Sequence, residues 1–250
     1  MNTFLIIITI IYGIIIGSFL NVCIYRIPKN ESIVTDRSHC MTCGHKLKWY
    51  DLVPLVSYLT LGGKCRYCKT KISKQYPVIE FTNGVLYGIL VVVNGFNIST
   101  ILFCLCSSAL LALSVIDWRT FEIPIAFNIF IGILGIIRLL TDLEHWYVYI
   151  IGFLAVSGFL YLLFLITKGR GIGGGDIKLM AAAGLLIGWK NIILALGIGC
   201  VLGSIIHIIL MKVQNKERVL AFGPYLSLGI YIAMLYGNQI IEWYINTFIY

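Results

Sequence analysis

The sequence predicts an all-α membrane protein with about eight transmembrane helices and a small cytoplasmic zinc-binding insertion. Apolar residues make up 59% of the 250 positions and charged residues only 12%, against about 45–50% and about 25% in ordinary soluble domains. The apolar residues form long runs, and the one large polar segment carries four regularly spaced cysteines. A mean hydropathy of +0.92 leaves too little polar surface for a soluble globule, which excludes soluble enzymes and secreted domains.

Eight apolar runs are long enough to cross or nearly cross a bilayer. They lie near residues 4–24, 78–96, 98–116, 123–141, 147–167, 177–189, 191–211 and 225–245. The first run could be a signal peptide, but no basic residue precedes it, and its length favours a helix that stays in the chain. The sixth run is the shortest and reaches only about 20 Å as a helix, so that helix must tilt or stop short.

Basic residues predict the orientation of these spans. Ten of the nineteen Lys and Arg residues lie between the first two runs, from Arg26 to Tyr76. If the spans alternate, only Arg138 and Lys190 fall on the opposite side. The remaining basic residues on the side of the polar segment are Arg119, Lys168, Arg170, Lys178, Lys212, Lys216 and Arg218. Cytoplasmic loops are rich in Lys and Arg, so we expect a multi-pass protein of the cytoplasmic (inner) membrane with both termini outside. This topology explains the net charge of +8 without a nucleic-acid partner.

Four of the eight cysteines form two C-x2-C pairs, Cys40 with Cys43 and Cys65 with Cys68, separated by 21 residues. Two such knuckles can present four thiolates tetrahedrally to zinc. A segment of about 50 residues has too small a core to fold without such a cross-link. Two disulfides or a redox dithiol are the alternatives, although a reducing cytosol disfavours disulfides. We expect the zinc to be structural, because four thiolate ligands leave no position open for a substrate.

Two aspartates are the leading candidates for chemistry. Asp117 closes the third apolar run, and Asp176 opens the sixth after a series of glycines. By the predicted topology both lie at the cytoplasmic ends of their helices. Ionisable groups at membrane depth are functional candidates. Two carboxylates that meet cannot both ionise easily, so one can act as general acid while the other activates water as general base.

Other interpretations of the two aspartates stay open at this point. Asp117 could pair with Arg119, and Asp176 could be a residue favoured by the helix dipole, with Lys178 beside it. A transporter could use both acids to relay protons or bind a cation, but it would be expected to place them near the bilayer midplane. A zinc-dependent membrane adaptor without chemistry would leave the two aspartates unexplained.

A series of short motifs extends over most of the chain. They are Gly17–Val22 with Tyr25–Pro28, the cysteine pairs with Trp49–Asp51 and Pro54–Tyr58 between them, Tyr76–Glu80, Ile116–Asp117 with Ile123–Pro124, Gly173–Leu179, and Phe222–Tyr225. In these motifs the chain resembles the type IV prepilin peptidases, polytopic aspartic proteases that remove the leader of type IV pilins and pseudopilins. One departure is Met41, where the family commonly has proline after the first cysteine.

The resemblance implies that Asp117 and Asp176 are the catalytic pair of an aspartic endopeptidase whose substrate is a type IV prepilin or pseudopilin. Many members also methylate the new N-terminus, which implies S-adenosylmethionine as a cofactor and points to the zinc segment, Glu80 and Gly84. The residues themselves show no G-x-G-x-x-G after a strand, and Glu80 could equally pair with Lys74 or Arg26. Membrane lipid is the other expected partner.

We therefore predict three parts in the chain. Residues 1–25 form the first transmembrane helix, residues 26–76 form the cytoplasmic zinc-binding segment, and residues 77–250 form the polytopic helical catalytic domain.

Overall fold

The fold was obtained as a computed structural model, which describes residues 3–35, 37–169, 171–214 and 221–248. In these ranges the regular structure is helical, and the pairing of extended backbone is limited to isolated β-bridges. Three residues of the predicted charge distribution, Arg170, Lys216 and Arg218, lie outside the described residues. The all-helical architecture therefore agrees with the sequence prediction.

The α-helices in the described ranges follow the apolar runs. They are α1 (Thr3–Arg26), α2 (Val56–Thr60), α3 (Gln75–Asn94), α4 (Ile98–Thr120), α5 (Ile125–Thr141), α6 (Trp146–Ile166), α7 (Gly174–Ile187), α8 (Trp189–Gln214) and α9 (Gly223–Phe248). All except the short α2 coincide with a predicted run. A helix satisfies its own backbone hydrogen bonds, so even the isoleucine-rich α1 is helical despite the modest helix propensity of isoleucine.

Five stretches in the described part of the chain are long and apolar enough to cross a membrane, namely those of α1, α3, α4, α6 and α8. Of the others, α5 is apolar but has 17 residues, and α7 has 14. The second half of α9 carries Asn238, Gln239 and Glu242. The expectation of several membrane spans is met, whereas the number eight stays a prediction.

The chain divides into two compact units, Met1–Ala112 and Leu113–Tyr250. In the first unit, α1 and α3 run antiparallel and approach each other through glycines. A Cβ atom added to Gly13 would lie 2.9 Å from Gly84 Cα, and one added to Gly17 would lie 2.7 Å from Glu80 Cα. Small residues four apart let helix backbones come close in lipid, where association depends on packing rather than on the hydrophobic effect.

A buried polar chain reinforces this contact. The Asn83 side chain donates through Nδ2 to the Gly13 carbonyl of α1 at 2.7 Å. The Ser108 hydroxyl of α4 donates to Asn83 Oδ1 at 2.9 Å, and the Tyr87 hydroxyl lies 2.9 Å from Ser108 Oγ. Buried polar groups are costly unless they find such partners, so these bonds fix the positions of α1, α3 and the first half of α4.

In the second unit, α7 is the central element. It contacts α5, α6, α8 and α9, and Leu179, Met180, Ala183 and Leu186 are fully buried. Gly184 of α7 faces the Gly152 carbonyl of α6 with no room for a side chain between them. The short α7 is therefore held on several sides, and its first turn, which contains Asp176, has a fixed position within this unit.

Substitution of Gly13 tests the α1–α3 contact. Gly13→Ala adds only the Cβ atom, which the neighbouring backbone cannot accommodate without moving, so we expect a loss of about 1–3 kcal/mol in unfolding free energy. The matched control is Gly158→Ala in α6, where nothing lies within 4 Å of an added Cβ and alanine favours the helix. Unfolding in mixed micelles by titration with dodecyl sulfate measures both. Equal midpoints for the two variants would contradict this packing.

Candidate functional site

Asp117 lies near the end of α4 and is 4% exposed. The backbone N–H of Gly223, the first residue of α9, donates to Asp117 Oδ2 at 2.8 Å. A Cβ atom on residue 223 would lie 2.7 Å from the same oxygen. A side chain at residue 223 would therefore displace the Asp117 carboxylate, and the main chain supplies the hydrogen bond that holds it.

Asp176 lies in the first turn of α7 and is 9% exposed. Its backbone N–H donates to the Gly173 carbonyl at 3.2 Å, which closes the turn that opens the helix. A Cβ atom on residue 173 would lie 3.0 Å from Asp176 Oδ2. The N-terminus of a helix favours a negative charge, and the absence of a side chain at residue 173 leaves room for the carboxylate.

The two aspartates belong to the same compact unit. Their carboxylates are close enough for the charge on Asp117 to act on Asp176. Both are mostly buried, so this electrostatic interaction is weakly screened. The arrangement can share one proton between two carboxyl groups.

Asn128 supports the first turn of α7 from α5. Its side chain is 6% exposed, and Nδ2 lies 3.5 Å from the Gly175 carbonyl, while Oδ1 has no hydrogen-bond partner among the described residues. The carbonyl is only an acceptor, which fixes the orientation of the amide. The sequence pattern did not predict a role for Asn128, although it is the single polar side chain between Ile125 and Ile137.

The four predicted metal ligands come together in the first unit. The Sγ atoms of Cys40, Cys43, Cys65 and Cys68 all lie within 4.8 Å of one another, and those of Cys40 and Cys68 are 3.8 Å apart. All four cysteines are free. Four thiolates around a tetrahedral zinc with bonds of about 2.3 Å would be about 3.8 Å apart. The cluster could therefore bind a metal, and its donor set fits zinc.

Both knuckles use the same backbone turn. The Gly44 N–H donates to the Cys40 carbonyl at 2.8 Å, and the Lys69 N–H donates to the Cys65 carbonyl at 3.0 Å. Gly44 and Lys69 both have positive φ angles, 68° and 58°. Hydrogen bonding to Thr70 lowers the pKa of Cys68 to about 6, which favours the thiolate that a metal requires.

Asp51 connects the linker between the knuckles to the second knuckle. It accepts hydrogen bonds from Arg66 Nε at 2.7 Å, from the Tyr67 hydroxyl at 3.2 Å and from the Lys48 N–H at 3.2 Å. Burial alone would raise the pKa of Asp51, but these three donors together lower it. The ionised carboxylate therefore anchors the linker next to the metal ligands.

Glu80 and Gly84 lie in α3, which follows the last of the four clustered cysteines in the sequence. The Glu80 carboxylate is 6% exposed and accepts a hydrogen bond from the Leu55 N–H at 2.8 Å; it also interacts with the Ser18 side chain. A Cβ atom on residue 84 would lie 2.6 Å from Ile14 Cγ1. In the structure Glu80 thus contacts the segment between the two cysteine pairs, and Gly84 allows the close packing of α1 and α3.

The fold and these sites define a multi-pass membrane protein with a cluster of four cysteines that could bind a metal and with two buried aspartates in one compact unit. Comparison with known proteins narrows this class. Residues 11–94 match the Bacterial Peptidase A24 N-terminal domain, and residues 104–208 match the Type IV leader peptidase family. The four clustered cysteines lie in the first matched region, and Asp117 and Asp176 lie in the second.

Full-length relatives agree with these matches. A prepilin leader peptidase/N-methyltransferase of Pseudomonas aeruginosa is 32% identical over 268 residues, covering 95% of this chain and 92% of the relative. The protein of the same description from Bacillus subtilis is 34% identical over 241 residues, covering 94% and 96%. The chain therefore belongs to the type IV leader peptidase family. No solved structure matches it.

Metal analysis tests the cysteine cluster. We expect about one zinc per chain and loss of the metal after replacement of any one of Cys40, Cys43, Cys65 or Cys68 by serine. The segment should then become sensitive to protease, because a structural zinc supplies much of the folding energy of such a segment. The matched control is Cys200→Ser, which removes a free thiol outside the cluster. A freshly prepared, reduced sample without metal would contradict this assignment.

Proposed function

We propose that this protein is an aspartic endopeptidase that cleaves the leader peptide of type IV prepilins or pseudopilins on the cytoplasmic side of the membrane. Membership of the type IV leader peptidase family supports the substrate class. The observation that carries the mechanism is the buried pair Asp117 and Asp176, whose carboxylates interact within one compact unit.

The two carboxylates share the acid and base roles. Each accepts a main-chain hydrogen bond, Asp117 from the Gly223 N–H and Asp176 from the Gly173 N–H, so either can hold the negative charge. The ionised member takes a proton from the water that attacks the scissile carbonyl carbon, while the protonated member gives its proton to the carbonyl oxygen. When the resulting diol breaks down, the C–N bond breaks, the leaving amine takes a proton from the first carboxyl group, and the second carboxylate takes up a proton from a diol hydroxyl.

The predicted topology supports cleavage at the cytoplasmic side. The segment 26–76 carries ten basic residues, which favours a cytoplasmic location for it. If the spans alternate, the C-terminal end of α4 and the N-terminal end of α7 then lie on the cytoplasmic side as well. The substrate would lose a short cytoplasmic leader while its apolar helix stays in the bilayer. In this proposal residues 1–25 are the first span, residues 26–76 the zinc-binding segment and residues 77–250 the catalytic part.

Zinc has a structural role in this proposal. Cys40, Cys43, Cys65 and Cys68 would fill all four coordination positions, so the metal would tie together a segment with little apolar core of its own.

We also propose N-methylation of the newly exposed N-terminus as a second activity. The relatives' description as N-methyltransferases supports it, and S-adenosylmethionine would supply the methyl group. Glu80 and Gly84 are the proposed residues, on the basis of the resemblance. Their contacts are with Leu55 and with α1, so they would contribute by positioning the zinc segment rather than by touching the methyl donor.

Isosteric replacement tests the catalytic pair. Asp117→Asn and Asp176→Asn keep the side-chain shape but cannot exchange the proton, so each should lower turnover of a prepilin by at least about a thousandfold. The double variant should lose no more than either single one, because the two act as a unit. Asp142→Asn is the control, since Asp142 bonds to Tyr149 and His145 instead. Product masses measure cleavage, and near-normal turnover of either single variant at matched expression would remove that residue from the mechanism.

A second measurement separates methylation from cleavage. Glu80→Gln and Gly84→Ser should impair methylation of a precleaved pilin more than cleavage of a prepilin, because both changes act in α3 rather than at the aspartates. Gly158→Ser is the matched control, as its site in α6 has open space around it. If S-adenosylmethionine yields no mass gain of one methyl group on any cleaved substrate, the methyltransferase proposal fails while the peptidase proposal stands.

A further inference from the structure

The stretch between the two knuckles exposes large apolar side chains. Trp49 is 78% exposed, Leu59 75% and Val56 55%. Trp49 and Leu52 are three apart around a 3₁₀ turn, and Val56 and Leu59 are three apart across α2, so each pair lies on one side of its turn. Neighbouring exposed apolar side chains mark an interaction surface. We refer to Trp49–Leu59 as the apolar turn.

A hydrogen bond sets the depth of the apolar turn. The Leu55 N–H donates to Glu80 Oε2 at 2.8 Å, and Glu80 lies in the membrane-spanning stretch Gln75–Asn94. Its neighbours Val78 and Phe81 are 57% and 60% exposed. Apolar side chains exposed on a spanning helix face lipid. Leu55 is therefore held at the level of lipid-facing side chains rather than above the membrane.

The backbone at Leu55 is strained, so neighbouring groups must hold this residue in its conformation. Leu55 has φ 59° and ψ −50°, and the Val56 N–H donates to the Pro54 carbonyl at 2.6 Å. This is a three-residue turn with positive φ, a rare conformation for a residue with a Cβ atom. Such geometry persists where neighbouring groups fix it, and here the buried Glu80 carboxylate takes the Leu55 N–H.

Most of the charges around the apolar turn are positive. The segment 26–76 has ten Lys and Arg residues against three acidic ones, and Lys46 and Lys48 lie just before Trp49. The acidic residue within the turn, Asp51, is paired with Arg66. Lys48 and Arg66 also lie 5.9 and 5.1 Å from the centre of the Tyr50 ring. Basic residues beside tryptophan, tyrosine and leucine are typical of segments that lie in the interface of a membrane with anionic lipids.

We propose that the apolar turn inserts its side chains into the interfacial region of the bilayer, with the Glu80 carboxylate holding it at that depth. The occupant of this surface is lipid, not a second protein. The insertion is independent of peptide cleavage and places the four-cysteine cluster directly against the membrane surface.

Tryptophan fluorescence in vesicles tests the proposal. With Trp118, Trp146, Trp189 and Trp243 changed to Phe, Trp49 is the sole tryptophan. The protein is reconstituted in vesicles of phosphatidylcholine and phosphatidylglycerol, part of which is brominated near the headgroup. We expect brominated lipid to quench Trp49 and acrylamide in the water to quench it weakly.

Two further single-tryptophan variants serve as references for the quenching of Trp49. In both of them Trp49 is also changed to Phe, and the tryptophan is placed elsewhere. Phe81→Trp reports a lipid-facing position on α3, and Met41→Trp reports a position of the first knuckle that is 57% exposed. Quenching of Trp49 by acrylamide should be roughly twofold or more below that of Met41→Trp, with bromine quenching close to that of Phe81→Trp. Equal acrylamide quenching of Trp49 and Met41→Trp, without bromine quenching, would overturn the proposal. Protection from both quenchers would also overturn it, because protein would then cover the surface.

Glu80 is tested in the same background. Glu80→Ala should raise acrylamide quenching of Trp49 towards the Met41→Trp value, whereas Glu80→Gln keeps an acceptor oxygen of the same reach but loses the charge that strengthens this hydrogen bond, so its effect should be intermediate. Retained metal content shows that the segment is still folded. Unchanged bromine quenching in a metal-containing Glu80→Ala protein would overturn the role of Glu80.

Discussion

Helices in a bilayer gain little by hiding apolar surface from one another, because lipid tails are as apolar as leucine, so their association depends on close backbone approach. Glycine makes that approach possible between α1 and α3 and between α6 and α7. The same property gives room to the two buried aspartates. Gly223 lies against Asp117, and Gly173 lies against Asp176. The packing of the helices and the space around the carboxylates therefore depend on one constraint, the absence of a Cβ atom at particular points.

Burying two acids in a medium of low polarity is costly unless their charge is compensated or shared. Both carboxylates receive a main-chain hydrogen bond, but from different donors. The donor to Asp117 is the Gly223 N–H at the start of another helix, whereas the donor to Asp176 is the Gly173 N–H at the start of its own helix. The positive end of the α7 dipole also lies next to Asp176. These differences arise from the positions of α7 and α9 in the second unit.

Local features were predictable from the sequence, and long-range contacts were not. Apolar runs define helices by their composition, and the spacing of the cysteines alone indicates a four-ligand cluster, so both were recovered. The Gly223–Asp117 hydrogen bond joins residues 106 positions apart, and the Leu55–Glu80 bond joins a loop to a helix. The spacing of apolar and polar residues along the sequence does not predict hydrogen bonds between such distant positions. The boundary between the units at residue 112 falls inside α4, where a continuous apolar run gives no sign of it.

The donor to Asp117 is a main-chain amide, and this has an evolutionary consequence. A side-chain donor can be lost by a single nucleotide change, but every residue except proline carries the same N–H. A side chain at residue 223 would collide with Asp117, so the size of this residue, and not a donor group on its side chain, decides whether the hydrogen bond forms. The hydrogen bond to Asp117 thus depends on the course of the backbone at Gly223. In the sequence this position is only a glycine, and nothing in the residue type indicates that it donates a hydrogen bond.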